Sequence, residues 1–389
     1  MATIGQRGGE ASGERPLEVA LLSPCYWPEV RRGGERLTRV LADGLLARGQ
    51  RPSLITSHRG PPSRAVEDGM EVLRLPRPPH RWLARLGFED YRSHVPLVYA
   101  ALRAGSADVA HAMFPTDALA AVRWAARTRR PAIHTYLGVP DPGWLRSRRL
   151  RRRTLGRVVR EADAVVAISR YAAAAFRESF GYEAPVITPG VDLGVFRPSG
   201  ARAPSPTVLC TAAADEPRKH VGLLVEAFAK VRRERPEARL LLSRPRDPAA
   251  ARAAGVDPGA AGVEWADLDS ADAIVRAYSE AWVTVLAAPN EAFGLVLAES
   301  MACGTPVAGL ARAGIPEVVD REEVGRLFEP LEAGPLAQAI LAAMELATDP
   351  GTAAACRARA EELSADRSAE LYLRLYRDSL ARRARRAAG

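Results

Sequence analysis

The chain has 389 residues, enough for two domains of ordinary size, and its 47% hydrophobic content is typical of a globular protein. No stretch approaches the roughly 18 uninterrupted apolar residues of a membrane span, and residues 1–16 lack the apolar core of a signal peptide, so we expect a disordered tail and a cytoplasmic protein. The formal net charge of +9 favours anionic ligands or surfaces, although nearly all of the basic residues are arginine, which is a compositional bias.

The four cysteines are scattered, without the spacing of a zinc site or a disulfide framework. They fit a reducing compartment.

In chain order, short apolar strands alternate with helical patterns in the first half. Such alternation predicts a doubly wound parallel sheet. The predicted strands are 17–23, 53–56, 108–112, 132–135 and 164–168. Helices are expected between them, including one that begins near Gly33-Gly34 and ends near Gly49.

A Pro/Gly-rich stretch at 189–198 and a polar stretch at 199–206 interrupt this pattern and indicate a domain boundary. A second alternation follows. Its predicted strands are 207–211, 238–242, 263–266, 283–286 and 307–310, and its later helices are 335–347, 352–362 and 367–385. We therefore predict an N-terminal domain over 17–197, a C-terminal domain over 198–363 and a final helix over 364–389.

The most informative stretch lies in the second half, where Glu291 and Glu299 enclose seven residues. A helix is expected to begin inside this interval, at Phe293 or Gly294, and its apolar run continues through Leu295. Free N–H groups at a helix start bind anions, and glycine allows a ligand to approach the backbone closely. An anion site between two carboxylates suits a nucleotide-diphosphate sugar. Glutamates at this spacing are also common on solvated helix faces, which is the alternative.

The string from Glu291 to Val307 resembles the signature of the retaining glycosyltransferases of family 4. In that family two glutamates enclose seven residues, Phe-Gly follows the first, and Ala-x-Gly-x-Pro-Val follows the second. The resemblance implies the GT-B fold: two Rossmann-like domains with a cleft between them, and a terminal helix that crosses back to the first domain. It also implies that Glu291 binds the transferred sugar and that Glu299 binds the ribose of the nucleotide.

Two further motifs match the family. Gly33-Gly34, before the first helix, would receive the donor diphosphate at the helix start, although a plain turn is the alternative. Lys219 stands where the family holds the diphosphate with a lysine, and its neighbour Arg218 is a candidate second cation. Both residues also fit a solvated basic pair.

Three positions depart from the family pattern. Leu137 replaces a histidine that touches the transferred sugar in the family, and Ala213-Ala214 replace a Gly-Arg pair. His111, at the end of a predicted strand, is a candidate replacement contact for the sugar or acceptor. These departures leave open a catalytically degenerate protein that acts as a binding partner.

An arginine-rich run over 146–153 has two interpretations. It fits peripheral contact with an anionic membrane, as in lipid-modifying relatives, or a solvated face. Because no aromatic residues are interleaved with the charges, nucleic-acid binding is not expected.

The resemblance therefore predicts a retaining hexosyltransferase that uses a nucleotide-diphosphate sugar as co-substrate and a hydroxyl acceptor, such as a lipid or cell-envelope glycan. We see no Asp-x-Asp placed for a metal and no His/Cys cluster, so no metal and no cofactor are expected. The alternatives are another GT-B enzyme, such as a nucleotide-sugar epimerase, and the degenerate binding partner.

Overall fold

The structure is a computed structural model, and it describes residues 15–29, 33–77, 91–257 and 259–388. The tail predicted over 1–16 lies outside this range, except for its last two residues. The predicted α/β fold with two doubly wound sheets is confirmed.

The first sheet has seven strands in the order β3-β4-β2-β1-β5-β6-β7, all parallel to their neighbours except β3. The strands are β1 (Glu18–Leu22), β2 (Arg51–His58), β3 (Ser63–Glu67), β4 (Met70–Pro76), β5 (Val109–Ala112), β6 (Ala132–Tyr136) and β7 (Ala164–Ala167). The helices of this half are α1 (Gly33–Leu46), α2 (His94–Ala104), α3 (Pro115–Thr128), α4 (Pro142–Ser147), α5 (Arg149–Glu161) and α6 (Arg170–Phe180). Every residue of β5 and β7 is buried, as expected of strands covered by helices on both faces.

The second sheet has six parallel strands in the order β10-β9-β8-β11-β12-β13. Numbered from β8, this is the 3-2-1-4-5-6 order of the Rossmann fold. The strands are β8 (Thr207–Cys210), β9 (Arg239–Ser243), β10 (Val263–Ala266), β11 (Val283–Leu286), β12 (Val307–Leu310) and β13 (Gly325–Phe328). The helices are α7 (Val221–Glu234), α8 (Pro248–Ala253), α9 (Ala271–Glu280), α10 (Leu295–Ala302), α11 (Ile315–Val318), α12 (Ala333–Leu346), α13 (Thr352–Glu362) and α14 (Ala365–Ala388), and a 3-10 turn spans Pro217–Lys219.

The final helix α14 packs on the first sheet and not on the second. Its buried residues Ala369, Tyr372, Leu373 and Tyr376 share one hydrophobic cluster with residues of β1, α1 and β5. A side chain on Gly44 of α1 could not be accommodated, because its Cβ would lie 2.5 Å from that of Ala369. The domain limits proposed from the sequence remain predictions, but this packing ties the C-terminal end of the chain to the N-terminal half.

Candidate active site

Each sheet has one point where the strand order reverses, and open α/β sheets bind ligands beside such points, at the carboxyl ends of the strands. In the first sheet the point lies between β1 and β5, and the loop after β1 leads to Gly33-Gly34. In the second sheet it lies between β8 and β11, where the loops lead to Lys219 and to Glu291. The topology therefore places most of the predicted site residues at the two positions that bind ligands in this class of fold.

Lys219 and Glu291 meet at the reversal point of the second sheet. The Lys219 Nζ donates a hydrogen bond to Glu291 Oε2 over 2.7 Å, and the two side chains are only 16% and 20% exposed. Charge-assisted hydrogen bonds of this kind are about twice as strong as neutral ones. Lys219 and Glu291 are 72 positions apart in the sequence, so the fold brings one cation and one carboxylate together near the N-terminus of α10.

The helix α10 begins at Leu295, one residue after the later of the two predicted starts, Phe293 and Gly294. Gly294 is its N-terminal cap residue, with φ +97° and ψ +44°, a conformation that glycine adopts without strain. Phe293 is buried in the hydrophobic core around the second sheet, whereas Leu295 is partly exposed. Gly314 supports this turn from the next loop, because its N–H donates to the Glu291 carbonyl over 2.9 Å. A Cβ on Gly314 would lie 2.2 Å from the Ala292 carbonyl oxygen, so only glycine permits the approach.

Glu299 lies deeper than Glu291, with 1% of its side chain exposed. Arg36 of α1 donates to its Oε1 over 2.5 Å, and the Tyr278 hydroxyl donates to its Oε2 over 3.1 Å. Burial raises the pKa of Glu299, and the hydrogen bonds from Arg36 and Tyr278 oppose that shift. Burial also raises the pKa of Tyr278 well above its ordinary value, so this hydroxyl acts as a donor. Glu299, the residue predicted to bind the ribose, is thus covered in this structure by Arg36 from the other half of the chain.

Gly33 and Gly34 form the first residues of α1 and differ in their surroundings. Among the residues that the structure describes, a Cβ on Gly33 would meet no atom within 4 Å, so this part of the backbone leaves room for a ligand. A Cβ on Gly34 would lie 3.1 Å from Leu137 Cδ1. Leu137 packs against the hydrophobic cores of both halves, so the residue that replaces the family histidine fills apolar space beneath the Gly-Gly turn.

A second contact joins the two halves through Glu317 of α11. Its carboxylate accepts hydrogen bonds from the backbone N–H groups of Arg170 and Tyr171, over 2.8 and 2.7 Å, at the N-terminus of α6. A carboxylate is favoured at this end of a helix because it meets free N–H groups and the positive end of the dipole. Glu317 and Arg36 therefore bridge the cleft at two separate places.

Arg218 and His111 differ from the other candidates. Arg218 forms an ion pair with Glu216, and 63% of its side chain is exposed, so it does not join the Lys219–Glu291 pair here. His111 has no exposed surface, which contradicts a direct contact with sugar or acceptor. Its ring nitrogens bond to the hydroxyls of Tyr376, at 2.6 Å, and Thr135, at 2.8 Å. Burial lowers the pKa of His111 to about 3, so the ring is neutral and structural.

The arginine-rich run lies on two consecutive helices, α4 and α5. Most of its arginines are exposed, among them Arg148, Arg149, Arg152 and Arg153. Within the part of the chain that the structure describes, no helix is long and apolar enough to cross a membrane. Over the same residues there is no cluster of three or more His, Cys, Asp or Glu side chains arranged to hold a metal ion.

Two family models match the chain, one over each half. The model described as Glycosyltransferase Family 4 matches residues 31–195, and the model described as Glycosyl transferases group 1 matches residues 205–345. Together they cover every predicted site residue and all strands of the two sheets except β1.

Among curated proteins, the chain is similar to the D-inositol 3-phosphate glycosyltransferase of Acidothermus cellulolyticus. The two are 31% identical over 63% of this chain and 58% of that protein. Phosphatidyl-myo-inositol mannosyltransferase of Mycobacterium tuberculosis is 26% identical over 85% of this chain and 88% of that protein. A second D-inositol 3-phosphate glycosyltransferase, from Segniliparus rotundus, is covered over 42% of its length. The chain therefore spans about half the length of these two curated relatives.

Among solved structures, sucrose-phosphate synthase from Thermosynechococcus elongatus aligns with a TM-score of 0.79 at 24% identity, over 94% of this chain and 99% of that one. The Anabaena protein HepE, solved with UDP-glucose, aligns with a TM-score of 0.67 at 18% identity, over 92% and 99% of the two chains. These likenesses confirm the GT-B fold that the signature implied.

Proposed function

The chain belongs to family 4 of the glycosyltransferases, and on that premise we propose that it moves a hexose from a nucleotide-diphosphate sugar to a hydroxyl acceptor with retention of anomeric configuration. The observation that carries this proposal is the Lys219–Glu291 pair beside the N-terminus of α10, at the reversal point of a Rossmann-type sheet. The site offers a cation for phosphate, a carboxylate for hydroxyls and free backbone N–H groups.

The donor's parts match these groups one by one. The diphosphate would lie between Lys219 and the open backbone of Gly33-Gly34, and the backbone at Gly294 would contribute N–H donors. Glu291 would accept hydrogen bonds from hydroxyls of the transferred sugar, and Glu299 would accept them from the ribose. HepE, which has the same fold, was solved with UDP-glucose, which supports a nucleotide sugar as the donor class.

The proposed reaction needs no protein nucleophile. The bond between the anomeric carbon and the diphosphate oxygen breaks, and its electron pair leaves with the nucleoside diphosphate. The acceptor oxygen forms the new bond on the same face, and its proton passes to the departing phosphate. Lys219 stabilises the charge that develops on the diphosphate, an electrostatic effect that is usually the largest in catalysis. We propose that neither a metal ion nor a cofactor takes part.

The acceptor is proposed from the relatives and from surface charge. Relatives named for D-inositol 3-phosphate and phosphatidyl-myo-inositol suggest a phosphorylated polyol or a lipid that carries one. The exposed arginines of α4 and α5 lie in the half of the chain that holds the acceptor in GT-B enzymes. They suit a negatively charged acceptor or the surface of an anionic membrane on the cytoplasmic side.

A ligand screen followed by product analysis tests the proposal. Uridine, guanosine, adenosine and thymidine diphosphates are each added at 100 times the dissociation constant, where a bound ligand stabilises the fold by about 2.7 kcal/mol. At least one should raise the melting temperature. If none does, the donor site is refuted. The corresponding sugar donors are then incubated with and without myo-inositol phosphate: transfer needs the acceptor, whereas an epimerase changes the donor without it.

The degenerate binding partner has its own supporting observation, since Leu137, Ala213 and Ala214 replace polar or charged residues of the family. It predicts that a nucleoside diphosphate binds but that no sugar donor is consumed, either by transfer to an acceptor or by hydrolysis.

A further inference from the structure

The contact between Arg36 and Glu299 has no place in the function proposed so far. Arg36 lies on α1 in the first half of the chain, and Glu299 lies on α10 in the second, 263 positions away. The guanidinium seals a carboxylate that is 1% exposed, while 38% of the arginine side chain remains exposed. Arg36 and Tyr278 are the two groups that donate hydrogen bonds to the Glu299 carboxylate. Tyr278 is fully buried in the hydrophobic core of the second half of the chain, so only Arg36 is able to move away from Glu299.

We propose that Arg36 is a donor-binding residue that moves from Glu299 to the diphosphate when a nucleotide enters. The inference rests on the proposed function, because it assigns Glu299 to the ribose and the N-terminus of α1 to the diphosphate. The ribose hydroxyls take the place of the guanidinium on Glu299. The guanidinium then turns toward the phosphates and keeps a negative partner throughout.

The position of Arg36 makes this move short. Arg36 follows Gly33 by three residues, so its Cα lies within the first turn of the helix whose start is open to a ligand. Its only described hydrogen bond runs from Nη1 to Glu299. A guanidinium has five N–H donors in a planar fork that matches phosphate oxygens.

The charge around the site also favours Arg36. Lys219 is the cation beside Glu291, whereas Ala213 and Ala214 of the same loop contribute none. Arg218 is held by Glu216 and is mostly exposed. Arg36 is therefore the better candidate for the second cation that a diphosphate of two or more negative charges requires.

The consequence is that Arg36 should determine how strongly the protein prefers a nucleoside diphosphate to the nucleoside without phosphate. Loss of the arginine should uncover Glu299 for the ribose while it removes a ligand of the diphosphate. A nucleoside without phosphate should then bind as well as before or better, and its diphosphate should bind worse.

Binding measurements on Arg36→Gln test this. Calorimetry compares uridine, guanosine, adenosine and thymidine with their 5′-diphosphates in the wild-type protein, and the pair that binds is then measured in the variants. We expect the diphosphate to lose at least about tenfold in affinity while the nucleoside does not weaken. Arg39→Gln, one turn later on α1 and paired with Asp43 and Asp68 of the same half, is the control and should change neither.

Equal changes for nucleoside and diphosphate in Arg36→Gln would overturn the proposal, even though the wild-type protein binds nucleotides and the proposed function stands. Absence of any nucleotide binding in the wild-type protein would refute both. If the uncovered carboxylate prevents Arg36→Gln from folding, Glu299→Gln is compared with the Arg36→Gln/Glu299→Gln double variant, which buries no unpaired charge. The preference for diphosphate should fall about tenfold between them, and an unchanged preference would refute the role of Arg36.

Discussion

Replacement of Lys219 by alanine should weaken nucleoside diphosphate binding more than it weakens the fold. In the free protein the residue pairs with Glu291 over 2.7 Å, and both side chains keep some exposure, at 16% and 20%. Solvent screening places the stability cost at the lower end for a charged hydrogen bond, about 1–1.5 kcal/mol. In the complex the same ammonium would contact phosphate, and its loss should cost about 1.5–3 kcal/mol, or roughly 10- to 150-fold in dissociation constant.

The assay is calorimetry with the nucleoside diphosphate that binds the wild-type protein, together with urea unfolding of each variant. Lys230→Ala is a matched control, because Lys230 is the only other lysine of the sequence and is exposed on α7. The double variant Lys219→Ala/Glu291→Gln measures the coupling between the two residues. Wild-type affinity in a folded Lys219→Ala protein would refute the assignment of the diphosphate to this loop.

Three further outcomes are expected. Gly294→Ala should destabilise the protein by about 1–3 kcal/mol in urea unfolding because φ is +97°, whereas Gly334→Ala, with open space around its Cβ, should not; equal effects would contradict the strain argument. Burial lowers the pKa of His111 to about 3 and that of His134 to about 4. As pH falls below 6.5, these histidines therefore bind protons in the unfolded chain before they do so in the folded protein. The free energy of unfolding should be about 3 kcal/mol lower at pH 5.5 than at pH 7.5. His111→Gln should remove about half of this dependence, and an unchanged dependence would exclude His111 as its source. Sugar transfer should survive a chelator, and loss with EDTA that magnesium or manganese restores would contradict the metal-free reaction.

The sequence predicted those parts of the fold whose signal is local. Strands such as β11 and β12 are short, mostly apolar and fully buried, and their predicted limits coincide with those observed. The strands β3, β4 and β13 were missed. The edge strand β3 is exposed along most of its length, and β4 alternates charged with apolar residues, so neither has the composition of a buried parallel strand. The helix α2 was missed as well, within the region where the family resemblance was weak.

The site residues also fall into those that a local sequence signal identifies and those that depend on distant contacts. Gly294 and the two signature glutamates could be found because they lie within one short string. Arg36 could not, because its partner is 263 positions away and nothing near it in the sequence marks the contact. Glu317 could not be found either, because its bonds to the start of α6 depend on how the two halves meet.

The error at His111 has a similar cause. His111 is the next-to-last residue of β5, near the carboxyl edge of the first sheet, where a side chain would face the cleft if nothing covered it. Tyr372 and Tyr376 of α14 cover it, and the sequence places them more than 250 positions later. Contacts made by the terminal helix are tertiary, so strand pattern and spacing gave no indication of them.

The central claim is that the two signature carboxylates act on a nucleotide sugar, and steady-state kinetics of Glu291→Gln and Glu299→Gln test it most directly. Glu291→Gln keeps the shape of the residue but weakens bonds to sugar hydroxyls that tighten as charge develops. Its kcat should fall on the order of 100-fold, while a cooperative melting curve shows that the fold is intact. Glu299→Gln affects a part of the donor that does not react, so it should mainly raise the donor KM. Two well-folded variants with wild-type kinetics would contradict the account.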